Sequence, residues 1–404
     1  NQAKHTTNEK VLTDSLFPKR IADLQTDNEG NIWAAAENKL IRFTGEYLTY
    51  WHAAKGINFI KVHTVLADDE GKLWFTPDFR LYENTKVDSD KVSLRSYDIT
   101  PPKDHIDITG LYKDRFGFLW IGTMGEGLFR MNLETGKWRR IAENPIAYYG
   151  NILSIAGKDN QVWISTLNGV SRFNLTENNY ELNTGIAFTN YSKRDGLGSD
   201  YIYHILIDKQ NRVWFATDGA GVAVFQNNLF TNFYTAGRFP ASVTYSLAED
   251  KNQHIWISTY NEGLFKYDGK IFTRYGIKNG LTDLAISSIA VDEFNNVIAV
   301  NKKGIDILNP VKNIVQHYGP ESGFYEPQPN LNSISKAPDG KIWIGTDNGI
   351  VCLNTSSAAV TYRPVAVIEY VNLFNNPIDT AGRKNFAYDQ NNFNSSKPEA
   401  KTTP

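Results

Sequence analysis

Residues 108–131 read ITGLYKDRFGFLWIGTMGEGLFRM. A short apolar pattern leads to an acidic residue, a glycine turn and a tryptophan inside a β-rich run. A second glycine and another apolar run follow. Tryptophan serves as the ruler for finding further copies. Leu119-Trp120-Ile121-Gly122-Thr123 returns as Ile32-Trp33-Ala34, Leu73-Trp74-Phe75-Thr76, Val162-Trp163-Ile164-Ser165-Thr166 and Val213-Trp214-Phe215-Ala216-Thr217. It returns again as Ile255-Trp256-Ile257-Ser258-Thr259 and Ile342-Trp343-Ile344-Gly345-Thr346, and a worn copy, Val297-Ile298-Ala299-Val300, lies between these two. Trp33, Trp74, Trp120, Trp163, Trp214, Trp256, Ile298 and Trp343 stand 41 to 51 residues apart. Spacings of about 40 to 45 residues are those of four-stranded propeller blades. The fold class is therefore all-β, a β-propeller of four-stranded blades, and eight copies predict eight blades. Seven blades with one stray copy is the alternative, because the copy at Ile298 is weak and the one around Pro77 irregular.

Each copy reads as four strands. Ile205 and Ile207 before Asp208 alternate like a short inner strand. Asp27-Asn28-Glu29-Gly30 or Asp339-Gly340 supplies a tight turn. The tryptophan run is the second strand, rich in residues that suit a pleated buried surface. Gly127, Gly169, Gly221, Gly263, Gly304 and Gly349 mark the next turn, and runs such as Leu264-Phe265-Lys266-Tyr267 form the third strand. Asp268-Gly269 then leads to an outer strand, Ile271-Phe272-Thr273-Arg274-Tyr275. A residue repeated in every unit serves what every unit shares, so the tryptophans are assigned to packing between blades. Asp208, Asp250 and Asp292 are assigned to turns rather than to a carboxylate site.

Around this array the chain divides simply. Residues 1–20 form a polar N-terminal segment in which Val11, Leu12, Leu16 and Phe17 are candidates for a closing strand, since a ring has to join its ends. The propeller is placed at residues 21–362, the cut-short opening of a further β-domain at 363–393, and a disordered tail at 394–404. The net charge of −2 gives no electrostatic footprint for nucleic acid, and no run of 18 apolar residues offers a membrane span. The single cysteine, Cys352, sits in the third strand of the last copy and reads as a small buried hydrophobe.

Forms such as Asp114-Arg115-Phe116-Gly117-Phe118-Leu119-Trp120-Ile121-Gly122-Thr123 resemble the two-component regulator propeller repeat. Asp195-Gly196-Leu197-Gly198-Ser199-Asp200-Tyr201-Ile202 and Asn279-Gly280-Leu281-Thr282-Asp283 are similar to that family's lead-in to an inner strand. Pro364 to Tyr370, with Tyr388-Asp389-Gln390-Asn391-Asn392, resembles the start of the immunoglobulin-like domain that follows such propellers. The resemblance implies the extracytoplasmic, periplasmic sensor region of a bacterial membrane-bound regulator of the Bacteroidetes type, often binding glycan fragments. Its signal would pass through downstream membrane, kinase or DNA-binding parts, with a homodimer possible in the full-length receptor. Eight copies are fewer than the large glycan sensors of that family carry, which leaves the ligand class open.

In a propeller, the loops from outer strand to next inner strand and from second to third strand emerge on one face. That face is where a ligand site is expected, and its candidate residues are Arg80, Glu126, Tyr148, Tyr149, Tyr201, Tyr203, Asp218, Tyr245, Tyr260 and Glu262. Tyrosines beside carboxylates and an arginine offer flat apolar surfaces with hydrogen-bonding groups, as a small polar or carbohydrate ligand requires. Two other readings compete: a secreted propeller lyase or hydrolase, and a protein-interaction scaffold. For catalysis, His63, His105 or His204 would have to pair with Glu126 or Glu262 as general acid and base, and His204 reads better as a channel-lining or satisfied core histidine. No cofactor or metal is expected, since there is no spaced His/Cys cluster, no phosphate-binding glycine loop and no nucleophile elbow.

Overall fold

The structure is a computed structural model. It describes residues 22–26, 32–36, 39–43, 48–51, 61–77, 80–87, 92–99, 107–141, 150–175, 186–320, 324, 329–347, 349–355, 372–373 and 376–377. Six four-stranded antiparallel sheets follow one another along the chain, beginning with the strands Val62–Ala67, Ile108–Lys113, Ile152–Lys158, Ile202–Ile207, Thr244–Glu249 and Ile286–Val291. A seventh sheet is assembled from both ends of the array. Pro329–Lys336, Ile342–Thr346 and Gly349–Leu353 take their fourth strand from Leu48–Trp51, with Cys352 opposite Thr49 and Ile350 opposite Trp51. The innermost strand of this seventh blade packs against Val62–Ala67 of the first, which closes the ring.

The ring therefore has seven blades, the alternative count, and the expectation of eight is corrected. The stray copy is neither of the two suspected ones. The worn copy at Ile298 forms a complete sixth blade and the irregular one around Pro77 a complete first blade. The copy at Trp33 is instead the one outside the ring, a three-stranded sheet of Asp23–Thr26, Ile32–Ala36 and Lys39–Phe43, because its fourth strand is the one given to blade seven. The closing strand is thus Leu48–Trp51 and not the segment 1–20, which lies outside the described residues. Compact units span Asn1–Ala358 and Ala359–Pro404. In the second, Asn372–Leu373 pairs with Asn376–Pro377; the tail at 394–404 lies outside the described residues.

Seven hydrophobic cores lie between the seven neighbouring pairs of blades. Trp74 packs with Ile108 and Leu119 of blade two, Trp120 with Ile152 and Phe173 of blade three, and Trp214 with Leu247 and Ile257 of blade five. Trp74, Trp120, Trp163, Trp214 and Trp256 are fully buried, and truncating such a residue to alanine costs about 3–5 kcal/mol. In blade six Ile298 fills the same place.

In blades one, two, four and five an acidic residue six positions before the tryptophan holds the first turn and the indole together, whereas blade seven has Ala337 at that place. Asp208 is typical. Its Oδ1 accepts from the Gln210 and Arg212 amides at 2.9 and 2.8 Å, and its Oδ2 from Trp214 Nε1 at 2.8 Å. Asp68, Asp114 and Asp250 do the same for Trp74, Trp120 and Trp256. Blade three has no carboxylate there, and Gln161 accepts from Trp163 instead. After the tryptophan strand, Gly127, Gly169, Gly221, Gly263, Gly304 and Gly349 all take positive φ, the conformation that the absence of a Cβ permits.

Candidate functional site

The inner strands line the channel, and each carries an irregularity near its start. The first pairing is followed by a register shift at Val62/Val65, Ile152/Ser154, Ile202/His204, Thr244/Leu247 and Ile286/Ser288. Blade two skips Thr109 in the same way. A bulge leaves a residue out of the ladder and re-aims its side chain. In blades four and five the residues so released are Tyr203 and Tyr245, with Ser246.

These tyrosines form a row. Tyr203 and Tyr245 meet edge to face with ring centroids 5.2 Å apart, and Tyr245 meets Tyr260 likewise at 6.1 Å. The Tyr203 hydroxyl donates to Asp218 Oδ2 at 3.0 Å. Asp218 is itself placed by its amide, which donates to the Tyr201 carbonyl at 2.9 Å, and by Ser199 Oγ, which donates to its carbonyl at 2.6 Å. Tyr201 and Tyr260 are about half exposed, at 50% and 55%. Burial, then the hydrogen bond and charge of Asp218, push the Tyr203 phenol up to about 12. Burial also raises Tyr245, helped by Tyr260 and Asp218. Both phenols stay protonated at neutral pH and so keep a donor, while Asp218 contributes an acceptor.

A residue that the sequence reading missed reaches this row from across the ring. In blade seven the register jumps from Pro329 to Ile334, so four residues leave the ladder. Within them Asn332 adopts φ 57° and donates from Nδ2 to the Tyr203 carbonyl at 3.0 Å. Its Oδ1 is buried and has no hydrogen-bond partner among the described residues. Neighbouring Asn330 donates to the Val62 carbonyl at 2.7 Å and fastens the loop to blade one. The only trace of this in the sequence is the asparagine pair in Pro329-Asn330-Leu331-Asn332, where the other inner strands carry no such pair.

Of the ten candidate residues, the structure joins Tyr201, Tyr203, Asp218, Tyr245 and Tyr260. Tyr148 and Tyr149 lie outside the described residues. Arg80, Glu126 and Glu262 form ion pairs within their own blades, with Asp98 at 3.4 Å, Arg140 at 2.8 Å and Arg274 at 2.6 Å.

The histidine pairings weighed for acid–base chemistry do not form among the described residues. His63 Nε2 lies 3.1 Å from Asp107 rather than near either glutamate. His204 Nδ1 accepts the Leu247 amide at 3.0 Å, and burial pushes its pKa down to about 4. This bond is one of a series between inner strands. Ser154 accepts from the Ile205 amide, Ser246 from Ile289 and Ser335 from Ala67. His204 thus fills a structural acceptor position. Among the described residues no group of three His, Cys, Asp or Glu side chains is placed to hold a metal ion, and no helix is long and apolar enough to cross a membrane.

With this geometry in place, comparison with known proteins is informative. The model of the two component regulator propeller family matches residues 103–125, 196–219 and 238–261. Curated proteins give no match. Among solved structures, the extracellular domain of a hybrid two component system of B. thetaiotaomicron aligns with TM-score 0.67 and 20% identity over 83% of this chain and 45% of that one. The extracellular domain of a one component system of the same organism gives 0.62 and 17% over 94% and 52%. This chain therefore spans about half the length of those ectodomains. Virginiamycin B lyase from Staphylococcus aureus, with quinupristin, shares the fold at 0.59 and 15% identity over 76% of this chain and 98% of its own. Three stretches of the chain thus match the two component regulator propeller repeat, and the whole array shares the propeller fold of these structures.

Proposed function

We propose that this propeller is the ligand-sensing part of an extracytoplasmic bacterial receptor and that it takes a small polar ligand of the sugar class at the channel mouth of blades four and five. The repeat family and the two ectodomains of similar fold support a sensing role. The observation that carries the choice of site is the row Tyr203–Tyr245–Tyr260 ending on Asp218. Aromatic faces cover the apolar face of a pyranose, while phenols, carboxylate and the Asn332 amide satisfy its hydroxyls. Such a site binds without a nucleophile or an acid–base pair, and the signal would be carried by parts of a receptor beyond this propeller.

The test is calorimetric titration of the purified protein with a panel of neutral oligosaccharides, followed by chromatography of the recovered sugar. Binding with the sugar recovered intact is expected. The exposed-residue variants Tyr201→Ala and Tyr260→Ala should each weaken binding about tenfold or more, roughly 1.4 kcal/mol, with the thermal midpoint nearly unchanged. Unaltered affinity in both variants removes the site, and conversion of the sugar replaces sensing by catalysis.

A further inference from the structure

Each inner strand outruns its partner just after their first pairing, and blade seven does so most. From Ile286 to Ser288 of blade six the partner strand moves only from Asn301 to Val300, so one extra residue, Ser287, leaves the ladder. Blades one to five likewise gain one each. From Pro329 to Ile334 of blade seven the partner moves only from Thr346 to Ile344, which leaves three extra residues to place. Extra residues leave the sheet, and on an inner strand the room for them is the channel.

Hydrogen bonds trace the path of this loop. Asn330 ties its base to both neighbouring blades: its carbonyl accepts from Ser288 Oγ of blade six at 3.1 Å, and its Nδ2 donates to the Val62 carbonyl of blade one at 2.7 Å. Leu331 stays 44% exposed, and Asn332 turns the chain with φ 57°, a left-handed conformation that asparagine tolerates. Asn332 Nδ2 then donates to the Tyr203 carbonyl at 3.0 Å, on a residue that the bulge of blade four leaves out of its own ladder. Blade four stands as far from blade seven as a ring of seven allows, so a bond between their inner strands crosses the channel. Pro329–Lys336 also approaches Thr244–Glu249 of blade five, again not its neighbour. The loop thus bars the channel where the tyrosine row begins.

The row itself opens outward. Tyr203 and Tyr245 belong to inner strands and are partly buried, whereas Tyr260 follows the second strand of blade five and is 55% exposed. A chain lying along these rings meets a barrier at one end and solvent at the other. We infer that the site receives the end of a sugar chain and not its interior: the terminal unit sits over Tyr203 and Asp218 against the Asn332 loop, and the following units leave over Tyr245 and Tyr260. This rests on the reading that the row binds sugar, and adds selection for a free terminus. A terminal unit carries a hydroxyl where an internal unit carries a linkage, and the phenols and carboxylate at the inner end can pair with it.

The experiment is calorimetric titration of the purified protein with cellopentaose, xylopentaose, mannopentaose and maltopentaose. Each is used intact, reduced with borohydride at the reducing end, or O-methylated at position 4 of the opposite terminal unit. For any sugar that binds, one of the two end-modified forms should lose about tenfold or more in affinity while the other keeps it. Tyr260→Ala should weaken intact and modified forms alike. Removing Leu331 and Asn332 leaves Pro329, Asn330, Ser333 and Ile334 in sequence, the single-residue bulge of blade six, and should bring intact and modified forms close together in affinity. Asn332→Gly frees the loop from Tyr203 without shortening it and should lower the discrimination severalfold, so the test holds even where the deletion does not fold. Modified forms that bind like the intact sugar, equal losses at both ends, or undiminished discrimination in the loop variants would overturn the inference while leaving sugar binding in place. Absence of binding by every intact sugar would overturn both.

Discussion

Replacing Asp208 by asparagine tests whether the buried carboxylates hold the blades. Asp208 is fully buried and accepts four hydrogen bonds, from the Gln210 and Arg212 amides on Oδ1 and from Arg212 Nε and Trp214 Nε1 on Oδ2 at 2.6 and 2.8 Å. An asparagine of the same shape keeps its oxygen toward the two amides and turns an NH2 toward two donors. Arg212 is partly exposed and finds water; the Trp214 indole is fully buried and does not. A buried donor left without an acceptor costs about 1–3 kcal/mol, and bonds to a charged group are worth about 1.5–3 kcal/mol each. The expected loss is about 2–4 kcal/mol in urea unfolding followed by far-UV circular dichroism. Asp292 supplies the internal control, because the residue at the tryptophan position is Ile298 and Oδ2 meets only the Asn296 side-chain amide at 2.9 Å among the described residues. Asp292→Asn should cost about 1 kcal/mol or less. In a cycle with Trp214→Phe, the Asp208 substitution should become milder by about 1–2 kcal/mol, since its orphaned donor is gone. Equal losses at Asp208 and Asp292, or a coupling near zero, would refute the reasoning.

Other perturbations test other parts. His204 is held near a pKa of about 4 in the fold against 6.5 for the free side chain, so the unfolded chain takes up a proton first as pH falls. Stability is then lost between pH 6.5 and 4, by up to about 3 kcal/mol, and His204→Gln should flatten that part of the unfolding profile. Asn332→Gly keeps the left-handed backbone but removes the bond to the Tyr203 carbonyl; it should lower stability by about 1–2 kcal/mol, including the added backbone entropy, and loosen oligosaccharide binding, both read by calorimetry. Tyr203→Phe deletes the bond to Asp218 and should weaken sugar binding severalfold while costing about 1 kcal/mol of stability. At Gly345 an added Cβ would lie 2.1 Å from Ser333 Oγ and 2.8 Å from the Val62 carbonyl oxygen, so Gly345→Ala should destabilise the seam between blades seven and one by about 1–3 kcal/mol in the same unfolding assay.

Much of this molecule is legible in its sequence because a repeat states its structural rules several times over. Tryptophans at the spacing of a blade, acids six residues ahead and glycines after the strand each report a local requirement that the structure meets with an indole, its acceptor and a positive φ. The blade count was less legible. A fourth strand such as Leu48–Trp51 has the same local character whether it joins its own copy or another, and its partner Gly349–Leu353 lies at the far end of the array. The grouping of Tyr201, Tyr203, Asp218, Tyr245 and Tyr260 follows from loop topology and could be read ahead. Asn332 could not, because its place depends on a bulge of four residues, which inserts backbone without leaving a periodic signal. Arg80, Glu126 and Glu262 were drawn off by arginine or carboxylate partners on adjoining strands, a competition that composition does not reveal.

Closure of the ring by Leu48–Trp51 supports everything else, since the channel mouth exists only if the seventh blade is completed this way. The protein provides its own probe, because its one cysteine, Cys352, stands opposite Thr49 in that pairing. Directly opposed residues of an antiparallel pair have Cα atoms about 4.5–5.5 Å apart, within disulfide range. The variant Thr49→Cys, purified and mildly oxidised, should form an intramolecular disulfide between the introduced thiol and Cys352, visible as a reducible linked peptide by mass spectrometry. It should also unfold at a higher urea concentration than its reduced form. Two free thiols under the same oxidation would instead place that strand elsewhere and contradict the seven-bladed ring.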